Sequence, residues 1–169
     1  MSLLNDCKYG HDIHNSDMRL TLLTSGWNPD NMGNYNDQGE HTITYSLYPH
    51  KGNLASCDTV KLAYDLNLPM TAVKTEGKGQ MPSEYSLVKV DKENVLIEAI
   101  KEAEYGDETV VRLYDCKNVR TKANVTFGFD VTEAYLGNLS ERKLKKLSVK
   151  NNTVTVEVKP FEIVTLIVK

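Results

Sequence analysis

Leu147-Ser148-Val149-Lys150-Asn151-Asn152-Thr153-Val154-Thr155-Val156-Glu157-Val158-Lys159-Pro160, followed by Phe161-Glu162-Ile163-Val164-Thr165-Leu166-Ile167-Val168, decides how this chain folds. Asn151-Asn152 is a turn between β-permissive runs, the clearest hairpin signal in the chain. Beyond the turn, Val154, Val156 and Val158 fall on one face, as the two-residue period of a strand requires. Pro160 interrupts the run. The segment from Phe161 to Val168 is then almost continuously apolar, the pattern of a strand covered on both faces.

Working backwards, Thr132 to Leu136, Ala123-Asn124-Val125-Thr126-Phe127 with Gly128 as a bulge, and Thr109-Val110-Val111-Arg112-Leu113-Tyr114 are each of strand length. Val95 to Ala103 fits a strand through Val95, Ile97 and Ala99 and a helix through Leu96, Ala99, Ile100 and Ala103; its β-branched content and the Tyr105-Gly106-Asp107 turn favour a strand. Seven or so short strands in about 80 residues predict a small β-sandwich of antiparallel strands.

The first half is less regular. Met18-Arg19-Leu20-Thr21-Leu22-Leu23 reads as a strand, and Trp27 to Gly39 as a long loop of breakers and polar groups. In His41-Thr42-Ile43-Thr44-Tyr45-Ser46-Leu47-Tyr48 the alternation places Ile43, Tyr45 and Leu47 on one strand face. Ser56 is placed to cap one short helix near 56–66, with Val60, Ala63 and Tyr64 at helical spacing and Leu66-Asn67-Leu68-Pro69 closing it. The apolar-poor stretch Thr75 to Ser83 marks a surface excursion, and the domain boundary is expected just after it, giving domains 1–88 and 89–169.

With 20 Lys plus Arg against 23 Asp plus Glu and a formal charge of −3, the chain lacks the concentrated positive charge of a nucleic-acid partner. No apolar run approaches the ~20 residues of a membrane span, and Met1-Ser2-Leu3-Leu4-Asn5-Asp6 lacks the apolar core of a signal peptide. A cytoplasmic protein, or a cut piece of one, is expected. Cys7, Cys57 and Cys116 are odd in number and widely spaced, and read as reduced thiols.

Motifs for chemistry are sparse. His11-Asp12-Ile13-His14 offers two imidazoles but no third donor at defined spacing, so surface or turn histidines are the plainer reading. Asp37 and Glu40 flank Gly39 beside His41, carboxylates and an imidazole suited to acid/base work or to sugar hydroxyls, although a turn at strand entry explains them as well. Ser25, Ser46 and Ser56 lack a nucleophile-elbow context, and Gly77-Lys78-Gly79 lacks the spacing of a phosphate loop. Tyr9, Trp27, Tyr35, Tyr45 and Tyr48 are candidates for sugar stacking or for ordinary packing. Lys143-Leu144-Lys145-Lys146 reads as a solvated basic face.

Leu4-Asn5-Asp6-Cys7-Lys8-Tyr9-Gly10, Arg19-Leu20-Thr21-Leu22-Leu23, Asp37-Gln38-Gly39-Glu40-His41, Tyr48-Pro49-His50, Leu66-Asn67-Leu68-Pro69, Ala103-Glu104, Val111-Arg112-Leu113-Tyr114 and Lys159-Pro160-Phe161-Glu162-Ile163 follow one another in an order that resembles the C-terminal part of family 38 glycoside hydrolases, the α-mannosidases, and in particular their cytosolic and bacterial branch. The resemblance implies a fragment holding the end of the large β-sandwich domain and the small terminal one. Zinc, its His and Asp ligands and the Asp nucleophile of the retaining reaction are implied on an N-terminal catalytic domain. No catalytic or metal residue, and no cofactor, is expected here. Asp37, Gly39, Glu40 and His41 are implied to form part of the rim of the mannose pocket. The implied partners are the catalytic and helical domains of the same polypeptide, and mannosides; neither nucleic acid nor membrane is expected.

A sandwich packed on a catalytic barrel excludes water and holds one rim of a pocket rigid, so the resemblance predicts scaffold here and chemistry elsewhere, with the fragment inactive alone. The alternative is an independent carbohydrate-binding β-sandwich using Trp27 and the tyrosines; a purely structural module of another large protein is a third reading. The first reading also predicts an apolar patch where missing domains pack. Met1-Ser2-Leu3 precedes the family pattern, which Leu4 enters in mid-domain, as a cut piece would.

Overall fold

The computed structural model describes residues 1–24, 26–27, 34–35, 39–77 and 79–169. The chain forms two units, Met1–Val73 and Lys74–Lys169. Val88, the end of the first expected domain, lies in the second unit, where it opens the strand Val88–Val90.

In the first unit, β1 (Ser2–Asn5) pairs antiparallel with β6 (Tyr45–Tyr48), and β2 (His11–His14) pairs with β3 (Asp17–Leu20). β4 (Gly26–Trp27) and β5 (Asn34–Tyr35) form a third antiparallel pair. Both longer predicted strands are shortened, to Asp17–Leu20 and Tyr45–Tyr48. The helix α1 spans Thr59–Asn67 and packs against β1. Ser56 does not cap it. Instead Ser56 and Asn53 form a reciprocal capping box around a 3-10 turn at Leu54–Ser56, and Asp58 stands at the N-cap of α1. The buried apolar side chains described in this unit are Leu4 and Cys57. Two-stranded ribbons with so little core are marginal on their own.

The second unit is a two-sheet sandwich. One sheet orders β13 (Val149–Lys150), β14 (Thr153–Val158), β10 (Thr121–Phe127) and β7 (Val88–Val90); the other orders β12 (Lys143–Leu147), β11 (Ala134–Gly137), β15 (Ile163–Val168), β9 (Thr109–Asp115) and β8 (Val95–Glu102). All pairings are antiparallel. The inward alternation puts Val154, Val156 and Val158 of one sheet against Val164, Leu166 and Val168 of the other, with Leu113, Val125 and Phe127 completing the core.

The hairpin turn carries φ 49° at Asn151 and 53° at Asn152, the double positive φ of the preferred two-residue turn. Its first arm is shorter than predicted. Leu147 ends β12 in one sheet and Val149 begins β13 in the other, so the chain changes sheets across Ser148. Gly128 makes no bulge; the register shifts lie at Ile97/Ala99 and Leu136/Gly137. A side chain at Gly128 would strike the Ser86 carbonyl, which explains the glycine there.

Candidate functional site

The positions expected to rim a pocket divide between described and undescribed residues. Asp37 lies outside the described residues. Gly39 has φ 149°, a value that favours glycine, and Glu40 and His41 are exposed. The chain is anchored again at Thr44: the Asp6 carboxylate accepts its N–H at 3.1 and 3.2 Å, and Asp6 N–H donates to the Thr44 carbonyl at 3.2 Å. Hydrogen bonds from Cys7 and Thr44 hold the Asp6 carboxyl below the usual carboxylate range, and the same bond pushes the Cys7 thiol up. Asp6 is thus an anchor ionised at neutral pH.

The alternation that places Tyr45 and Leu47 together holds, but their face is open. Tyr45 is 60% and Leu47 56% exposed. With Met1, Leu3, Met18, Leu20 and Leu22 they line a groove of about 420 Å³. These apolar side chains come from β1, β3 and β6 and from the residues beside them, so the feature belongs to the unit's architecture rather than to one loop.

Behind β1 runs a chain of polar side chains. Ser2 Oγ lies 2.8 Å from His50 Nε2 and 2.8 Å from Thr59 Oγ1, which in turn lies 3.0 Å from Cys57 Sγ. It joins β1, the segment after β6 and the start of α1, and Tyr48 stacks obliquely on His50 at 5.2 Å. His50 and Thr59 are legible in the sequence only as a residue after a proline and a helix start, which is why spacing alone misses them.

The histidines at the metal-like spacing are otherwise engaged. His11 Nδ1 lies 2.9 Å from the Tyr9 carbonyl, and His14 Nε2 3.0 Å from Asn15 Nδ2. The nearby carboxylates Asp12 and Asp17 both face Arg19, at 3.4 and 2.8 Å. Among the described residues no three His, Cys, Asp or Glu side chains converge as metal ligands would. Of the tyrosines proposed for stacking, Tyr9 and Tyr45 are exposed; the side chains of Trp27 and Tyr35 lie outside the described residues.

In the second unit the polar side chains with strong geometry are structural. Asp115 is fully buried, and its carboxylate accepts from Asn94 Nδ2 at 2.6 Å, Phe161 N at 3.0 Å, Val119 N at 3.1 Å and Lys117 N at 3.4 Å. Burial pushes its pKa up, but these donors outweigh burial and leave it below the usual range. Lys143 and Lys146 are not simply solvated. They pair with Glu108 and Glu133 at 2.6 Å each and sit 4.7 and 5.6 Å from the Tyr135 ring centre. The Glu141 side chain, 6% exposed, accepts from Lys101 at 2.8 Å, Arg112 at 2.9 Å and the Glu104 N–H at 2.6 Å. These pairs roof the outer face of the five-stranded sheet, where Val110, Thr165 and Ile167 are buried.

Residues 94–166 match the family described as the glycosyl hydrolases family 38 C-terminal beta sandwich domain. Over 99% of its length the chain is 31% identical to alpha-mannosidase 2C1 of Homo sapiens, of which it covers 16%. It is 34% identical to alpha-mannosidase G of Dictyostelium discoideum over 98% of the chain and 15% of that relative. The alpha-mannosidase of Saccharomyces cerevisiae is 34% identical over 96% of the chain, which covers 17% of it. The chain thus spans about one sixth of the length of these relatives.

Proposed function

Since the chain belongs to glycosyl hydrolase family 38, in the C-terminal β-sandwich region, we propose that it is the non-catalytic carboxyl-terminal part of a retaining α-mannosidase that hydrolyses α-linked mannose. One observation carries the reading: three α-mannosidases align with 96% to 99% of the chain while it covers only 15% to 17% of each. The open groove over β1, β3 and β6 supports it, because an apolar face of that kind calls for cover from elsewhere in the polypeptide.

On this reading the nucleophile, the acid/base carboxylate and the zinc ion belong to the preceding catalytic region, and this chain supplies a rigid support. Asp37, Gly39, Glu40 and His41 form part of the sugar-pocket wall on this reading, which the anchoring of the following Thr44 to Asp6 supports. The cytosolic placement is part of the same proposal, and three cysteines free of disulfides suit a reducing compartment.

The test is to probe the source lysate with an antibody to the chain and to assay the purified chain on an aryl α-mannoside. A native antigen several-fold larger than 19.0 kDa that carries mannosidase activity, beside an inert 169-residue chain, is the expected result. A native band at 19.0 kDa, or turnover by the chain alone, overturns the reading.

A further inference from the structure

Lys159-Pro160-Phe161-Glu162 closes a tight turn in which the Glu162 N–H donates to the Lys159 carbonyl at 3.0 Å. Pro160 takes the first inner position and Phe161 the second, with φ 54°. A positive φ after proline is the position that glycine or asparagine fills, and a bulky side chain there is a genuine outlier. The surroundings enforce it. The buried Asp115 carboxylate accepts the Phe161 N–H at 3.0 Å, and Glu162 Oε2 accepts the Lys159 N–H at 2.7 Å.

Packing inside the unit does not explain the phenyl ring, because Phe161 is 64% exposed. Two residues on, Ile163 is 56% exposed at the start of β15. It stands opposite Tyr114 of β9, and Tyr114 stands opposite Leu96 of β8. An apolar row thus crosses one end of the outer face, while Thr165 and Ile167, further along β15, are buried under the ion-pair roof. Strain held by an over-determined backbone, with the strained side chain aimed outward, is the pattern of a residue whose work lies in another surface.

We propose that Phe161, flanked by Ile163, is a docking anchor that inserts into an apolar pocket on another part of the same polypeptide. The size of the patch selects that occupant. A phenyl ring buries about 150–250 Å², so the ring and one isoleucine fall well short of the ~800 Å² per partner of a stable free complex. A tethered partner, at an effective concentration in the millimolar range, needs no such area. The fixed turn also lowers the entropy lost on docking. This inference rests on the reading of the chain as one part of a longer α-mannosidase.

The experiment places the photo-reactive residue p-benzoylphenylalanine at position 161 of the polypeptide that carries this chain in its source, with the same probe at exposed Thr126 as control, and maps the cross-links by peptide mass spectrometry. Cross-links from 161, and not from 126, into the same polypeptide outside the 169 residues are expected. A companion variant, Phe161→Gly, is expected to leave the melting temperature of the 169-residue chain unchanged or raised, since glycine suits the turn, while shortening the heat-inactivation half-life of the larger polypeptide roughly threefold or more. A large polypeptide that gives no such cross-link overturns the docking and leaves the proposed function standing. Cross-links between copies overturn it in favour of self-association. A native antigen of 19.0 kDa removes both readings at once.

Discussion

Asp115 is the residue on which three of the second unit's loops converge. Its carboxylate accepts from Asn94, Lys117, Val119 and Phe161, and so ties the segments around 94, 117–119 and 161 to the end of β9. Replacing it by alanine strands these donors, and Asp115→Ala is expected to destabilise the unit by about 3 kcal/mol. That loss lowers the melting temperature by more than about 10 °C. Because the folded pKa lies below the unfolded one, the stabilisation is complete above the ordinary aspartate range and is lost as pH falls through the depressed folded value. Urea melts from pH 7 down to about pH 3 should show that acid loss in the parent chain. Asp115→Asn should show a flatter dependence; equal acid slopes in the two proteins would remove Asp115 from the account. Nothing local in Asp115-Cys116-Lys117-Asn118 advertises this role, because two of the partners, Asn94 and Phe161, are remote in sequence. The same blindness explains the lysines of β12, whose partners Glu108 and Glu133 stand elsewhere in the chain.

Elements of the second unit were legible because their signals are local: alternating valines, turn asparagines and strand-length runs. β1 and β2 were not, since Ser2–Asn5 and His11–His14 are four residues each and carry no long alternation. The candidate site was legible only as far as backbone punctuation reaches. Glycine at 39 meets a positive φ, but where Glu40 and His41 act depends on surfaces that spacing does not encode. The Asn151-Asn152 turn separates two meanings of one residue type. Asn152 Oδ1 accepts from Val131 N at 3.1 Å, whereas what the turn asks of Asn151 is its positive φ of 49°. Asn151→Gly is therefore expected to be neutral or stabilising by a few tenths of a kcal/mol. Asn152→Gly keeps the backbone shape but frees the 130–131 segment, at about 1 kcal/mol. Chemical denaturation of both variants checks the difference, and equal effects would mean that only the turn conformation matters.

The two units differ in how completely they enclose themselves. The second buries one sheet face in a common core and roofs the other with ion pairs, whereas the first leaves Tyr45, Leu47 and Leu22 exposed around a groove. Residues 74–169 expressed alone are accordingly expected to melt in one cooperative transition and to remain monomeric. The 169-residue chain should self-associate as concentration rises, through the groove of its first unit. Light scattering on both proteins checks this, and a clean monomer of the full chain at high concentration would count against the open face as a packing surface. One feature of the second unit also governs when it can exist. β15, the last strand, lies between β11 and β9 in the middle of its sheet rather than at an edge. During synthesis the ribosome must release residues up to Val168 before that sheet can close, although the pairs β8–β9, β11–β12 and β10–β14 use earlier residues alone. Deleting 163–169 would thus part β11 from β9 and take Val164, Leu166 and Val168 out of the core, and a quality-control protease would meet the sandwich as an open sheet.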